Sequence, residues 1–263
     1  MNDIAISAGG VPIHYEVNGD GTIALVFVHG WSCDRSYWEG QVSHFAQQYK
    51  VVTIDLAGHG DSGLDRKAWT MAAFGEDVVA VISKLGLEQV VLIGHSMGAS
   101  VIIEAARRMP DLVIGLVAAD AFKDVEQTRT EEQIAEALEP FRANFANSTR
   151  KMVHGMFTAD ADATLVEQVV TDISAALPEV GIGALQEFRR NDRNLRAGLQ
   201  EMKGPMVAIN SDFKPTNIEG AQRYGIEISL MSGVGHFVMM EDAETFNRLL
   251  DAAVKRFVSQ ETC

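Results

Sequence analysis

Short apolar runs alternate with amphipathic segments along most of the chain. Uninterrupted apolar runs are typical of strands covered on both faces, whereas residues 11–17 alternate apolar and polar side chains as a half-buried strand does. These two patterns predict strands at residues 11–17, 23–28, 51–54, 90–93, 113–119, 206–209 and 226–231. Helical patterns separate several of these runs, which indicates a mostly parallel sheet with helices on both faces.

Two amphipathic helices are predicted between and after these strands. Apolar residues recur at three- and four-residue steps in the first of them, at Met71, Phe74, Val78, Ile82 and Leu85. Gly86 follows the stripe and is expected to cap the C-terminus of this helix. A similar stripe runs from Phe246 to Phe257 and predicts a helix near the C-terminus.

Residues 123–203 interrupt the alternation, because they contain helical stripes and no convincing strand. The stripes run from Ile134 to Phe145, from Leu165 to Ile173 and from Ile182 to Phe188. Pro140 and Pro178 are expected to start or kink helices there. Since the strand pattern resumes at Met206, we predict one α/β core of residues 1–122 and 204–263 with a helical insertion at residues 123–203.

Composition and charge narrow the classes of partner. The 263 residues are 47% hydrophobic and carry a net charge of −14, which argues against nucleic acid and anionic membranes as partners. No apolar stretch is long enough to span a bilayer, and the start lacks a signal-peptide pattern. Cys33 and Cys263 are the only cysteines, so we expect no disulfide framework and a cytoplasmic location.

The pentapeptide Gly94-His95-Ser96-Met97-Gly98 directly follows an apolar run and precedes a helix-like run. A tight strand-to-helix turn places its central residue in a strained conformation, and the glycines remove side chains that would collide there. The serine oxygen is then exposed beside a helix N-terminus, where negative charge is favoured. We therefore predict that Ser96 is a nucleophile.

A serine hydroxyl is a poor nucleophile at neutral pH, so it needs a base, and that base needs an orienting carboxylate. Of the seven histidines, His236 follows the last apolar strand in a glycine-rich loop and is placed to reach Ser96. Asp120 ends one predicted strand, and Asp212 follows the next one. Either carboxylate can fix the tautomer of His236.

Acyl transfer builds negative charge on a carbonyl oxygen, which two backbone N–H groups can stabilise. One predicted donor is the N–H of Met97, the residue after the nucleophile. The other predicted donor is the N–H of Trp31, in the loop that closes an earlier apolar strand.

Four motifs together resemble the α/β-hydrolase family in their order and spacing: His29-Gly30-Trp31, Asp55-Leu56-Ala57-Gly58-His59-Gly60-Asp61-Ser62, the pentapeptide around Ser96, and Gly235-His236-Phe237. The resemblance covers nearly the whole chain. It implies an eight-stranded, mostly parallel sheet with a helical cap inserted after strand six, at residues 123–203. It also implies that Ser96 is the nucleophile, His236 the base, and Trp31 and Met97 the oxyanion donors.

The chain departs from the family's usual pattern at the acid. Most members place an aspartate past strand seven, at the position that Lys214 occupies in this sequence, two residues beyond Asp212. A minority place it directly after strand six, where Asp120 stands. We therefore predict Asp120 over Asp212 as the acid of the catalytic triad.

The fold does not fix the reaction, and hydrolysis of small, fairly apolar carboxylic esters through an acyl-enzyme on Ser96 is the leading hypothesis. Haloalkane dehalogenases and epoxide hydrolases resemble this chain elsewhere but carry aspartate at the position of Ser96. The serine therefore argues against these two activities. Three alternatives stay open: a C–C bond hydrolase, a lactonase or perhydrolase with the same triad, and a ligand-binding receptor that retains the triad.

The expected partner is a small-molecule substrate held between sheet and cap. Met152, Met156, Phe213 and Phe237 are the candidate pocket residues, since large apolar side chains suit ligands of low polarity. The histidines form no tight metal-ligand motif, and no glycine-rich nucleotide-binding loop is present, so no metal and no cofactor are expected.

Overall fold

The computed structural model describes residues 2–261, and one eight-stranded sheet forms its centre. The strands are β1 (Asn2–Ile6), β2 (Pro12–Asn18), β3 (Ala24–Val28), β4 (Lys50–Ile54), β5 (Val90–His95), β6 (Val113–Ala119), β7 (Met206–Ser211) and β8 (Ile226–Met231). Their order across the sheet is β1-β2-β4-β3-β5-β6-β7-β8. The pairs β1–β2 and β2–β4 are antiparallel and all other neighbours are parallel, which confirms the predicted fold class.

Each predicted strand corresponds to a strand of the sheet, with ends that differ by at most two residues. The central strands β3, β5 and β7 are buried along their whole length, as their uninterrupted apolar runs predicted. The apolar pattern did not predict β1. Cys263, one of the two cysteines considered above, lies outside the described residues.

Helices surround the sheet: α1 (Glu39–Phe45), α2 (Met71–Leu85), α3 (Met97–Arg108), α4 (Glu131–Ala143), α5 (Phe145–His154), α6 (Ala163–Ser174), α7 (Pro178–Arg190), α8 (Asp192–Glu201), α9 (Ile218–Arg223), α10 (Val238–Glu241) and α11 (Ala243–Glu261). Helix α2 has the predicted bounds, and Gly86 ends it in the left-handed conformation, with φ 59°. Helix α2 packs against α3, whereas α11 packs against β6, β7, β8 and α1. Within residues 2–261, no helix combines the length and hydropathy that a membrane span requires.

Helices α4 to α8 all lie between β6 and β7 in the chain, and no strand occurs among them. The predicted stripe from Ile134 to Phe145 is wrong as a single helix, because Asn144 has extended backbone and separates α4 from α5. The Asn144 side chain accepts the N–H of Asn147 at 3.1 Å and so caps α5. Pro140 lies inside α4, and Pro178 begins α7.

The fold brings three of the predicted site residues to one edge of the sheet. Ser96 follows β5, Asp120 follows β6 and His236 lies beyond the end of β8. Because β5, β6, β7 and β8 are parallel, their carboxyl ends meet at the same edge.

Candidate active site

The turn between β5 and α3 holds Ser96 in a strained backbone conformation, with φ 51° and ψ −113°. Glycines are required on both sides of it. A methyl group at Gly94 would lie 2.4 Å from the carbonyl oxygen of Gly98, and one at Gly98 would lie 2.5 Å from the carbonyl oxygen of His29. The serine therefore projects from a turn that tolerates almost no added volume.

The loop after β3 lies against this turn. The Cys33 N–H donates to the Gly30 carbonyl at 3.3 Å, and Ser32 between them has a positive φ of 56°. Trp31 and Met97 are both buried, and among the described residues their backbone N–H groups donate to no protein oxygen. Buried N–H groups without a partner are rare in proteins. These two donors are thus available to an oxygen of a bound molecule.

His236 forms a short hydrogen bond with Asp120, at 2.6 Å between Nδ1 and Oδ2. The carboxylate can only accept, so the Nδ1–H donates and the Nε2 lone pair is left for another proton. Asp120 is 4% exposed, and its other oxygen accepts the N–H of Ser211 at 2.8 Å. Burial raises the pKa of Asp120, but the hydrogen bond and charge of His236 and the nearby Lys123 ammonium outweigh it, and the pKa is lowered overall.

Asp212 lies in a different environment. Its side chain accepts the Ser232 hydroxyl at 2.5 Å and is exposed to solvent. Its backbone N–H donates to the carbonyl of Met231, which extends the pairing of β7 with β8. The structure therefore brings Asp120 to His236 and directs Asp212 to the β8 loop.

The His236 loop is held from three directions. The His236 N–H donates to the Met156 carbonyl of the helical insertion at 2.8 Å, and the His236 carbonyl accepts from His95 Nε2 at 3.0 Å. Glu241 accepts the two backbone N–H groups that flank His236, at 2.8 and 3.0 Å. The imidazole thus stands on a loop whose backbone has little freedom.

His95 links the Ser96 turn to this loop. Burial, together with the neighbouring His236 charge, lowers the pKa of His95 to about 3, so the ring is neutral at physiological pH. Within residues 2–261 its Nδ1 has no hydrogen-bond partner, and it faces Gly30, where an added methyl group would lie 2.6 Å away. A larger residue at Gly30 or His95 would therefore disturb both the loop after β3 and the His236 backbone.

Two cavities meet at Ser96 and His236, since both residues line each of them. The larger cavity has a volume of about 270 Å³, and its wall includes exposed Asp124 and Phe213, so it opens to solvent. The smaller one has a volume of about 20 Å³ and is enclosed by buried or half-buried side chains. Its wall is mainly apolar and includes Trp31, Cys33, Val153, Met156, Ile173 and Phe237.

Three of the four predicted pocket residues line at least one of these two cavities. Met156 lines both cavities, Phe213 lines the larger one and Phe237 lines the smaller one. Met152 lines neither, because its side chain packs against the hydrophobic core instead. Within residues 2–261, no group of three or more His, Cys, Asp or Glu side chains is arranged to hold a metal ion.

The sequence pattern did not identify His95, Glu241 or Lys123 as contributors to this site. A polar residue gives a sequence signal for such a role only when it falls in a motif, and Glu241 and Lys123 fall in none. The Ser96 hydroxyl and the imidazole share the cavity walls without a hydrogen bond between them in the described contacts. Catalytic hydrogen bonds are often long without substrate and tighten in the Michaelis complex.

Comparison with known proteins gives a family match over most of the chain. The family model described as "Alpha/beta hydrolase family" matches residues 25–249. The acetyltransferase component of an acetoin cleaving system from Cupriavidus necator is 26% identical over 92% of this chain, and the match covers 66% of that protein, slightly less than two thirds. The strigolactone esterase RMS3 of Pisum sativum is 25% identical over 78% of this chain and 74% of its own length.

Solved structures share the fold at low identity. An esterase from Exiguobacterium antarcticum superposes with a TM-score of 0.86 at 20% identity, covering 97% of this chain and 100% of its own. An enol-lactonase from Burkholderia xenovorans gives a TM-score of 0.83 at 19% identity, covering 98% of this chain and 100% of its own.

Proposed function

Because the chain belongs to the α/β-hydrolase family, we propose that it is a serine hydrolase that cleaves small, fairly apolar carboxylic esters. Ser96 is the nucleophile, His236 the general base and Asp120 the orienting acid. The observation that carries the proposal is the 2.6 Å hydrogen bond between His236 and Asp120 at a cavity whose wall also contains Ser96. This combination lets a neutral imidazole take the serine proton while the carboxylate stabilises the imidazolium that forms.

The reaction proceeds in two halves. Ser96 Oγ attacks the ester carbonyl carbon as its proton passes to His236 Nε2, and the oxyanion accepts hydrogen bonds from the N–H groups of Trp31 and Met97. The intermediate collapses, the C–O bond to the alcohol breaks, and His236 protonates the departing alcohol oxygen. Water then attacks the acyl-enzyme carbonyl and gives a proton to His236. The second intermediate collapses, the C–O bond to Ser96 breaks, and His236 returns the proton to Ser96 Oγ as the carboxylic acid is released.

Electrostatics of the site favour this division of roles. The pKa of Asp120 is lowered, so it is ionised in the pH range where imidazole is neutral. Ser96 also precedes the first residue of α3, whose N-terminal dipole stabilises negative charge on the oxyanion.

The two cavities suggest how an ester is oriented. The enclosed cavity of about 20 Å³ adjoins Trp31 and admits about one water- or methyl-sized group, which fits the tail of an acetyl group. The larger cavity contains both apolar and charged side chains and opens to solvent, which suits a departing alcohol. We therefore place the acyl group in the small cavity and the alcohol in the large one.

Ile173→Ala should change the acyl-chain preference. Ile173 is 2% exposed and lines the small cavity, so its truncation makes room for a longer acyl chain. We expect the ratio of kcat/KM for p-nitrophenyl butanoate to that for the acetate to rise by about tenfold, the effect of one or two methylene groups in an apolar pocket.

Val170→Ala is the matched control for this change, because Val170 is fully buried on the same helix and does not line the small cavity. It should lower the unfolding temperature without changing the selectivity ratio. An equal shift of the ratio in both variants would contradict the placement of the acyl group.

The proposed function is tested by reaction with a fluorophosphonate, followed by mass spectrometry of the peptides. We expect stoichiometric labelling at Ser96 and hydrolysis of p-nitrophenyl acetate faster than longer esters. A vinylogous diketone and a lactone belong in the same substrate panel, because preferred turnover of either would replace the ester assignment. Absence of labelling together with tight binding of a small molecule would favour a receptor over an enzyme.

A further inference from the structure

We propose that Lys123 is a positioning residue whose ammonium partly neutralises Asp120 and so extends the activity of His236 as a base to lower pH. This inference rests on the proposed function, because it assigns Lys123 a part in the same proton transfer. Lys123 touches neither the nucleophile nor the imidazole in any described hydrogen bond; it acts on His236 through Asp120.

The contacts of Asp120 divide between two cationic or potentially cationic partners. Oδ2 accepts the Nδ1–H of His236, whereas Oδ1 lies 2.9 Å from Lys123 Nζ. Asp120 is nearly completely buried and Lys123 is mostly shielded, with 20% of its side chain exposed. Solvent therefore screens this ion pair less than a surface pair.

The Lys123 ammonium is fixed by more than Asp120. Its Nζ also lies 2.8 Å from the carbonyl of Ser211, the last residue of β7, and 3.2 Å from the carbonyl of Lys214 in the loop that follows. Although Lys123 lines the large cavity, its ammonium already contacts the Asp120 carboxylate and donates to two carbonyls, which favours a positioning role over a binding role.

His236 and Lys123 compete for the single negative charge of Asp120. Protonation of His236 is favoured by the negative charge of Asp120 and opposed by the positive charge of Lys123. With Lys123 present, the imidazolium is less stabilised. Without Lys123, the uncompensated carboxylate stabilises the imidazolium more strongly.

Other charged groups around His236 do not replace this contact. The His95 ring lies tilted beside it at 4.7 Å between ring centroids, and His95 is neutral, since burial first and then the His236 charge lower the pKa of His95 to about 3. Glu241 supports the loop, and burial raises the pKa of its carboxyl group. The large cavity also contains Asp124 and Lys214, of opposite charge.

In the wall of the same cavity, Arg129 and Asp192 pair with each other at 2.6 Å and so compensate one another's charge. Lys123 is therefore the cation in direct contact with the acid that holds the imidazole.

The test compares the pH dependence of Ser96 phosphonylation in the wild-type protein and in Lys123→Met, because this reaction needs the base but no natural substrate. We expect the acid limb of the rate profile to move upward by about one pH unit in Lys123→Met, the effect of one charge at this range in a partly screened site. The rate should recover to near the wild-type plateau at high pH. Lys123→Arg, which keeps the cation, should return the limb most of the way to its wild-type position.

Lys214→Met is the matched control, since it removes a positive charge from the same cavity wall without removing the ammonium on Asp120. Its limb should move much less than that of Lys123→Met. Lys123→Gln is a second neutral variant, and thermal unfolding checks that each protein is folded.

The outcomes distinguish failure of the role inferred for Lys123 from failure of the proposed function. A lower rate at every pH with an unmoved limb in both neutral variants would mean that Lys123 is only structural, and would overturn the inference. An equal shift in Lys214→Met would replace the specific contact with a general charge effect. Failure of the wild-type protein to react at any pH would instead contradict the proposed function.

Discussion

Ser96→Ala should lower kcat for p-nitrophenyl acetate by about 10⁴- to 10⁶-fold, the usual consequence of removing a nucleophile that acts together with its base. No acyl-enzyme can form without the hydroxyl, so the burst of p-nitrophenol should disappear together with the fluorophosphonate adduct. The residual rate would come from substrate binding and from the N–H groups of Trp31 and Met97, which the substitution leaves in place.

The fold should tolerate this change. Alanine removes one oxygen and keeps the Cβ, while the strain at φ 51° stays the same. We therefore expect an unfolding temperature equal to or slightly above that of the wild-type protein, as active-site strain and polarity often cost stability.

Ser100→Ala provides the comparison, because Ser100 lies one turn further along α3 and lines the same large cavity. It should retain the burst and the adduct. Turnover by Ser96→Ala at a tenth of the wild-type rate or more would mean that another group performs the reaction.

The central strands were predictable because their signal is local. Burial on both faces requires a run of apolar residues, and the runs that form β3, β5, β6 and β7 meet that requirement. Strand β1 lacks the signal, since Ile4 and Ile6 are 43% and 64% exposed while the small Ala5 is buried. Its place in the sheet depends on antiparallel pairing with β2, which a pattern within one segment does not reveal.

The helical insertion shows a second limit of predicting structure from the sequence pattern. Apolar periodicity predicted one helix through Phe145, and that side chain is buried as the pattern requires. The chain nevertheless breaks at Asn144, whose side chain caps the next helix. Helix α8 was not predicted, because only Gly198 and Leu199 of its residues are buried.

Within the candidate site, residues defined by a turn or a motif could be predicted, whereas residues defined by contacts across the fold could not. Ser96 lies between two glycines in the turn after one strand, and His236 lies in a glycine-rich loop after another, patterns that are visible in the sequence. Asp120 and Asp212 both follow strands, so that pattern alone could not separate them, and only the resemblance to the family favoured Asp120. Their side chains diverge because Asp120 turns with φ 44° toward His236, whereas Asp212 continues the β7–β8 pairing and meets Ser232.

Asp120→Asn should lower kcat/KM for p-nitrophenyl acetate by about 10³- to 10⁴-fold. An amide carries no charge to stabilise the imidazolium, and its NH₂ group can turn toward His236 and favour the wrong tautomer. It also leaves the Lys123 ammonium in a shielded position without its carboxylate, which adds a loss of stability. Initial rates across a pH series, together with thermal unfolding, measure both effects.

Asp212→Asn is the matched control, because the two aspartates follow adjacent strands and the same chemical change is made at each. Asp212 is exposed and its carboxylate accepts from Ser232, a hydrogen bond that an asparagine oxygen can keep. Its kcat/KM should stay within about twofold of wild type, as is usual for surface substitutions. The opposite result, an inactive Asp212→Asn and an active Asp120→Asn, would contradict this assignment. The carboxylate that accepts the His236 hydrogen bond in the resting protein would then not be the one that orients His236 in catalysis. The chain would then follow the commoner placement of the acid, and the His236 loop would have to leave Asp120 during turnover, breaking its hydrogen bonds to Met156 and His95.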